Sequence, residues 1–190
     1  MKPVKLMRYR GSIAAVGAGT DDFSSNTLGN YTEYADSAAN WNIASGYLSA
    51  SSGAQSVLTR NGVSFADGEV SCVITEANDT GLVLRLSNIS NHYVAVIYDN
   101  SSTLSGNRNK VQLYKRVGGA YTQLGTTVAI PTFNRGTPTT FSFSASGTNL
   151  LVKVNGTTYI STTDSAHSAG RCGPRMNGPA NHKFDSFTWP

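Results

Sequence analysis

The chain has 190 residues, of which only 14% are charged, and a formal net charge of +4. Ser (23), Thr (20), Asn (16) and Gly (19) supply 78 of its residues, a mixture that favours turns, strand faces and loops over helix interiors. This argues against a coiled coil, a helical bundle and a charged disordered chain, and no apolar run approaches the roughly 18 residues of a membrane-spanning helix.

Residues 1–20 read as a basic N-terminal arm. Lys2, Lys5, Arg8 and Arg10 carry the entire charge excess, because the remaining residues hold 11 basic and 11 acidic side chains. A nucleic-acid footprint would need basic residues clustered on a folded face, so the arm reads either as a solvated tail or as a tether for an acidic partner surface. Ile13-Ala14-Ala15-Val16 is shorter than the about 7–15 apolar residues of a secretory signal, so none is expected.

From residue 21 onward, one domain is expected, with a period-two pattern. Asp21-Asp22-Phe23 reads as a short strand and Tyr31 to Asn40 as a polar loop. Trp41-Asn42-Ile43 and Tyr47-Leu48-Ser49 form a hairpin around Ser45-Gly46, and Val57-Leu58-Thr59 is the next strand. Glu69 to Ala77 places Val70, Cys72 and Ile74 on one face, and Gly81 to Ser87 places Leu82, Leu84 and Leu86 together. His92 to Asp99, Lys110 to Val117 and Tyr121 to Ala129 are further strands, the last two joined at Gly118-Gly119. Thr139 to Ser146 alternates around Phe141 and Phe143. Leu150 to Val154 and Thr157 to Ser161 flank Asn155-Gly156, a pair suited to a type I′ turn. Arg171 to Met176 and Phe184 to Trp189 close the chain. About twelve strands with no amphipathic helix predict an all-β antiparallel two-sheet sandwich. Cys72 and Cys172 match no zinc spacing, and sequence alone leaves open whether they pair.

No Gly-x-Ser-x-Gly elbow, phosphate-binding glycine loop or metal-ligand histidine spacing is found. His92 reads as a polar residue at a strand end. If Leu82, Leu84 and Leu86 face the core, Arg85 points outward; if Val111 and Leu113 do, so do Gln112, Tyr114 and Arg116, with Tyr93 beside them. Aromatic rings that stack on sugars, next to Arg and Gln that bond paired hydroxyls, would make a glycan-binding face. Arg85, Tyr93, Gln112, Tyr114 and Arg116 are therefore the candidate ligand residues.

The order Asp22-Phe23, Trp41-x-Ile43-x-x-Gly46-x-Leu48, Gly81-Leu82-Val83-Leu84-Arg85, Tyr93, Leu113-Tyr114-Lys115, Val152-x-Val154-Asn155-Gly156, Gly170-Arg171-Cys172-Gly173 and Phe184-Asp185-Ser186-Phe187 resembles concanavalin A-like lectin/glucanase domains of the laminin-G-like kind. The resemblance spans about residues 21–189 and implies a jelly roll whose first and last strands pair. Such domains include carbohydrate-binding modules, glycoside hydrolases, lyases and bacteriophage virion surface proteins, so the fold does not settle the function. Laminarinase-like members carry Glu-x-Asp-x-x-Glu on a strand; this chain lacks it. Only Asp67 and Glu69 have i, i+2 spacing, and they sit at a strand start rather than in a cleft. Calcium is a structural ion in such folds, and paired terminal strands would bring Asp22 and Asp185 together. No other cofactor or catalytic residue is expected.

The leading expectation is a non-enzymatic virion surface protein, a capsid decoration or minor tail protein within an oligomeric assembly. Its arm would bind other virion proteins, and its sandwich would bind cell-surface or environmental glycans. A carbohydrate-binding module, extracellular rather than on a virion, is the alternative, and a polysaccharide hydrolase or lyase the third reading.

Overall fold

The structure is a computed structural model that describes residues 17–178 and 182–190. Lys2, Lys5, Arg8 and Arg10 lie outside the described residues. Sixteen strands form among the described residues, with one-turn 3-10 helices at Leu28–Asn30 and Ser105–Asn107 and no α-helix. In chain order they are β1 (Gly19–Asp21), β2 (Tyr31–Ser37), β3 (Asn40–Ala44), β4 (Tyr47–Ser51), β5 (Ala54–Arg60), β6 (Gly68–Ala77), β7 (Thr80–Asn88) and β8 (Asn91–Tyr98). Then come β9 (Lys110–Val117), β10 (Ala120–Gln123), β11 (Val128–Ala129), β12 (Thr139–Ser146), β13 (Asn149–Val154), β14 (Thr157–Thr163), β15 (Arg171–Met176) and β16 (His182–Trp189).

Two antiparallel sheets pack as a jelly-roll sandwich. The first runs β14-β13-β12-β6-β16-β4-β3, with β1 also on β16; the second runs β10-β9-β8-β7-β15-β5-β2, with β11 also on β9. β1 pairs Gly19 with Trp189 and Asp21 with Phe187, so the first and last strands do join. Three of the two-residue hairpins turn at Ser45-Gly46, Gly118-Gly119 and Asn155-Gly156. Both residues of each turn have positive φ, the mirror-image geometry that matches strand twist and that Asn and Gly adopt cheaply.

The core between the sheets takes Val70, Cys72 and Ile74 from β6, Phe141 and Phe143 from β12, and Phe184, Phe187 and Trp189 from β16. Leu82 and Leu84 of β7, with Tyr93, Ala95 and Ile97 of β8, meet them from the second sheet. Cys72 and Cys172 are buried free thiols, and burial pushes the Cys172 thiol up to about 12. Cys172 serves as a small apolar side chain, and the Cys72 thiol donates to Asp185 O at 3.0 Å.

Several elements differ from the sequence reading. The polar Tyr31–Asn40 run is an edge strand over Tyr31–Ser37, not a loop. Edge strands have one solvated side and tolerate polar residues, which hides them from a hydrophobicity pattern. β1 lies at Gly19–Asp21, because Phe23 has φ 53 and its N–H is capped by the Asp21 carboxylate. The Tyr121–Ala129 strand divides into β10 and β11, which take successive stretches of β9.

Candidate functional site

The second sheet has a second apolar cluster on the face turned away from the core. Val94, Val96 and Tyr98 of β8, Val83 and Leu86 of β7 and Val57 of β5 form it, with Tyr34 and Tyr114 against them. Strand alternation accounts for this: on β8, Tyr93, Ala95 and Ile97 point inward, so Val94, Val96 and Tyr98 point outward. On β9, Val111 and Leu113 are in the core, which turns Gln112, Tyr114 and Arg116 to the outer face, as the sequence pattern predicts.

That outer face is concave. Gln55 of β5 lies 3.3 Å from His92 of β8, although β15 and β7 intervene. Arg116 of β9 and Asp36 of β2, near opposite edges of the sheet, lie 2.7 Å apart. Two glycines permit the curl. A Cβ on Gly81 would sit 2.1 Å from Ala95 O, and one on Gly173 2.0 Å from Leu58 O. Neighbouring backbone fills the space that a side chain would need. Gln55 also has φ 43, a conformation rare for a residue with a Cβ.

A buried polar network lies along the hollow. Arg175 Nε and Nη2 donate to Gln55 Oε1 at 2.8 and 2.5 Å. Its Nη1 donates to Asp79 O at 3.0 Å and to the Asp79 carboxylate. Asn177 Nδ2 donates to Asp79 Oδ2 at 2.7 Å, and the Tyr98 hydroxyl to Gln112 Oε1 at 3.1 Å. Because Arg175 occupies Gln55 Oε1, the Gln55 amide N–H must donate to His92 Nε2, which fixes His92 as a neutral imidazole. Burial and the nearby Arg116 and Arg175 charges lower its pKa to about 3.

A pocket of about 290 Å³ opens above this network. Val94 and Val96 form its apolar floor, Tyr114 and Tyr121 one wall, and Asp79 and Asn177 its polar end. Tyr121 is 42% exposed. Its ring is braced by the Arg116 guanidinium 4.9 Å from its centroid and by the edge of Tyr114 at 6.1 Å. Burial raises the phenol pKa values of both tyrosines, so they present neutral hydroxyls. An aromatic wall, an apolar floor and directional polar groups are what hold a sugar ring.

Of the five residues expected to form a glycan face, Gln112, Tyr114 and Arg116 lie on it, and Tyr114 lines the pocket. Arg116 is occupied elsewhere: Nε and Nη1 donate to Gly119 O and Ile89 O, and Nη2 faces Asp36. Arg85 and Tyr93 are corrections. The β7–β8 register shifts after Leu84, and Arg85 has φ 53, so a bulge breaks the alternation. Leu86 turns to the outer cluster, and Arg85 is buried. Its guanidinium donates to Ala66 O, His167 O and Gly147 O at 2.8 Å each and meets Asp67 at 3.1 Å. Tyr93 points into the core, and its hydroxyl donates to Asp164 at 2.7 Å. His92 is a strand-end residue, the second of β8, but it is fully buried beneath the hollow.

Sequence reasoning missed Asp36, Gln55, Asp79, Tyr98, Tyr121, Arg175 and Asn177. Extending the β8 alternation two residues past Val96 would have found Tyr98. Cys172 facing the core places Arg175, three residues on, on the opposite face. Asp36 was hidden because β2 read as loop, and Gln55 because the strand read from Val57 begins at Ala54.

The acidic residues weighed for catalysis or calcium are engaged. Asp67 accepts from Gly147 N–H as well as Arg85, and Glu69 pairs with Lys153 at 2.7 Å. Asp22 accepts from Ser24 N–H and Asp185 from the Ser186 hydroxyl. Among the described residues, no three His, Cys, Asp or Glu side chains gather into a metal-ligand set.

No family model and no curated protein matches this chain. Solved structures do. A carbohydrate-binding module of family 66 from Bacillus subtilis is 15% identical with a TM-score of 0.66, over 83% of this chain and 91% of its own. A Bacillus subtilis protein of unknown function with a galectin-like fold gives a TM-score of 0.71 at 11% identity, over 92% and 96%. A Bacillus licheniformis β-glucanase gives 0.63 at 11%, over 91% and 97%. At these identities the likeness is one of fold. The sandwich shares the jelly-roll fold of these proteins. The likeness shows no bacteriophage association.

Proposed function

We propose that this protein is a non-enzymatic glycan-binding module that holds a neutral sugar in the hollow of its second sheet. The observation that carries the reading is the pocket itself, with Tyr114 and Tyr121 on one wall, an apolar floor and the Asp79–Asn177 group at its end. Its charges are compensated in pairs, Asp79 by Arg175 and Asp36 by Arg116, which favours a neutral ligand over an acidic one. The likeness to a carbohydrate-binding module is consistent with this. A binding role rather than hydrolysis is supported by the same pairing: carboxylates held by arginines act as hydrogen-bond acceptors, not as a free acid and base.

The test is a neutral-glycan array read alongside an assay for reducing or unsaturated ends. Binding without end release, lost in Asp79→Asn, is expected. End release from any bound polysaccharide would overturn the non-enzymatic reading.

The second reading keeps the virion-surface role, favoured by the charge excess on Lys2, Lys5, Arg8 and Arg10. On that reading, deletion of residues 1–20 abolishes incorporation into particles while leaving the sandwich folded. Retained incorporation would sink it.

A further inference from the structure

We infer that the Asp36–Arg116 ion pair straps the hollow closed, so that the pocket takes the terminus of a neutral glycan rather than an internal stretch. This deepens the glycan-binding reading and rests on it.

The strap connects strands that the sheet keeps far apart. Between β9 and β2 lie β8, β7, β15 and β5. At about 4.8 Å per strand, a flat sheet would separate them by roughly 24 Å, beyond the reach of any two side chains. Yet Arg116 Nη2 and Asp36 Oδ2 lie 2.7 Å apart. The two margins of the sheet therefore meet across its own concave face.

The arginine is built to hold that position. Nε donates to Gly119 O at 3.1 Å and Nη1 to Ile89 O at 2.9 Å. Only 10% of the Arg116 side chain is exposed, against 38% for Asp36. A pre-ordered guanidinium loses little freedom when it pairs with a carboxylate. The same arginine lies against the Tyr121 ring at 4.9 Å, so the strap and the aromatic wall are one unit.

The closure shows in the pocket lining. Asp36 and Ala54 come from one margin of the sheet, Tyr114 and Tyr121 from the other, and all four line the same space of about 290 Å³. A chain lying on an open concave sheet can continue past both ends of its contact. Here a ligand seated against Tyr121 meets the strap on one side and the Asp79–Asn177 group on another. One sugar enters and the rest of the glycan must leave toward solvent.

The experiment measures binding to linear neutral hexasaccharides, each offered free and with its non-reducing end masked as a cyclic acetal and its reducing end reduced. The parent protein is expected to bind the free form at least about tenfold more tightly. Asp36→Ala, which removes the strap, should bind free and masked forms within about threefold of each other. Asp36→Asn, which can still accept from Arg116, should keep the parent's discrimination. Equal binding of both forms by the parent overturns the terminus reading and leaves glycan binding standing. Unchanged discrimination in Asp36→Ala, with its melting temperature retained, overturns the strap. Absence of binding to every neutral hexasaccharide overturns glycan binding and this inference together.

Discussion

Arg85 in β7 and Arg175 in β15 stand on neighbouring strands of one sheet, 2% and 4% exposed. Around Arg85, the acceptors are mainly backbone carbonyls of three separate connections, at Ala66, Gly147 and His167. The guanidinium therefore ties the loops at one end of the sandwich. The Arg175 acceptors include side chains, Gln55 and Asp79, and Asp79 lines a pocket. Chemically similar buried arginines thus do different work. What separates them is whether they hold mainly the backbone carbonyls of loops or side chains that line the pocket.

The largest effect should come from the loop clamp. Arg85→Met leaves three carbonyls without their donor and should cost about 3 kcal/mol or more, read as a shift of the urea midpoint. A loss under about 1 kcal/mol would show that the loops hold without it. Arg175→Met should cost somewhat less, about 2–3 kcal/mol, because Asp79 keeps Asn177 and borders the pocket. It should also abolish glycan binding, which sharpens the contrast: both variants lose stability, and Arg175→Met cannot bind at any temperature where it is folded.

The third effect comes from two buried neutral histidines. Burial lowers His92 to about 3 and His182 to about 4. In the unfolded chain both take up a proton near pH 6.5. Between pH 6.5 and those folded values the unfolded state binds more protons, so stability falls as pH falls. Each should cost about 1.4 kcal/mol at pH 5.5. Denaturation at pH 7.0 and 5.5 checks this, and His92→Gln should flatten the dependence by about half. The smallest effect on stability belongs to the pocket rim. Tyr121→Ala should change folding by less than about 0.5 kcal/mol, yet weaken glycan binding about tenfold through the lost ring face. Unaltered affinity would remove Tyr121 from the site.

The candidate site was legible where strands are regular. Gln112, Tyr114 and Arg116 are placed by Val111 and Leu113 facing the core, because the side-chain period of a strand is two. The same rule failed at Arg85, where a bulge inserts a residue and sends Leu86 to the opposite face. Nothing in Leu84-Arg85-Leu86 signals that bulge. Its causes are the carbonyls at Ala66, Gly147 and His167, about 20 to 80 residues away in the chain. Asp36 failed for another reason, since a polar edge strand and a polar loop have the same composition.

The resemblance implied the paired termini, whereas composition, alternation and the turn pairs Ser45-Gly46, Gly118-Gly119 and Asn155-Gly156 determined the all-β class and most strand positions. Those properties are set by neighbours along the chain. The curl of the second sheet was decided only by tertiary structure. It brings Asp36 to Arg116 and Gln55 to His92, and it turns a row of outward side chains into the lining of a pocket. Curvature is a sum of twists, bulges and close glycine approaches over seven paired strands, and no local stretch of sequence carries that sum.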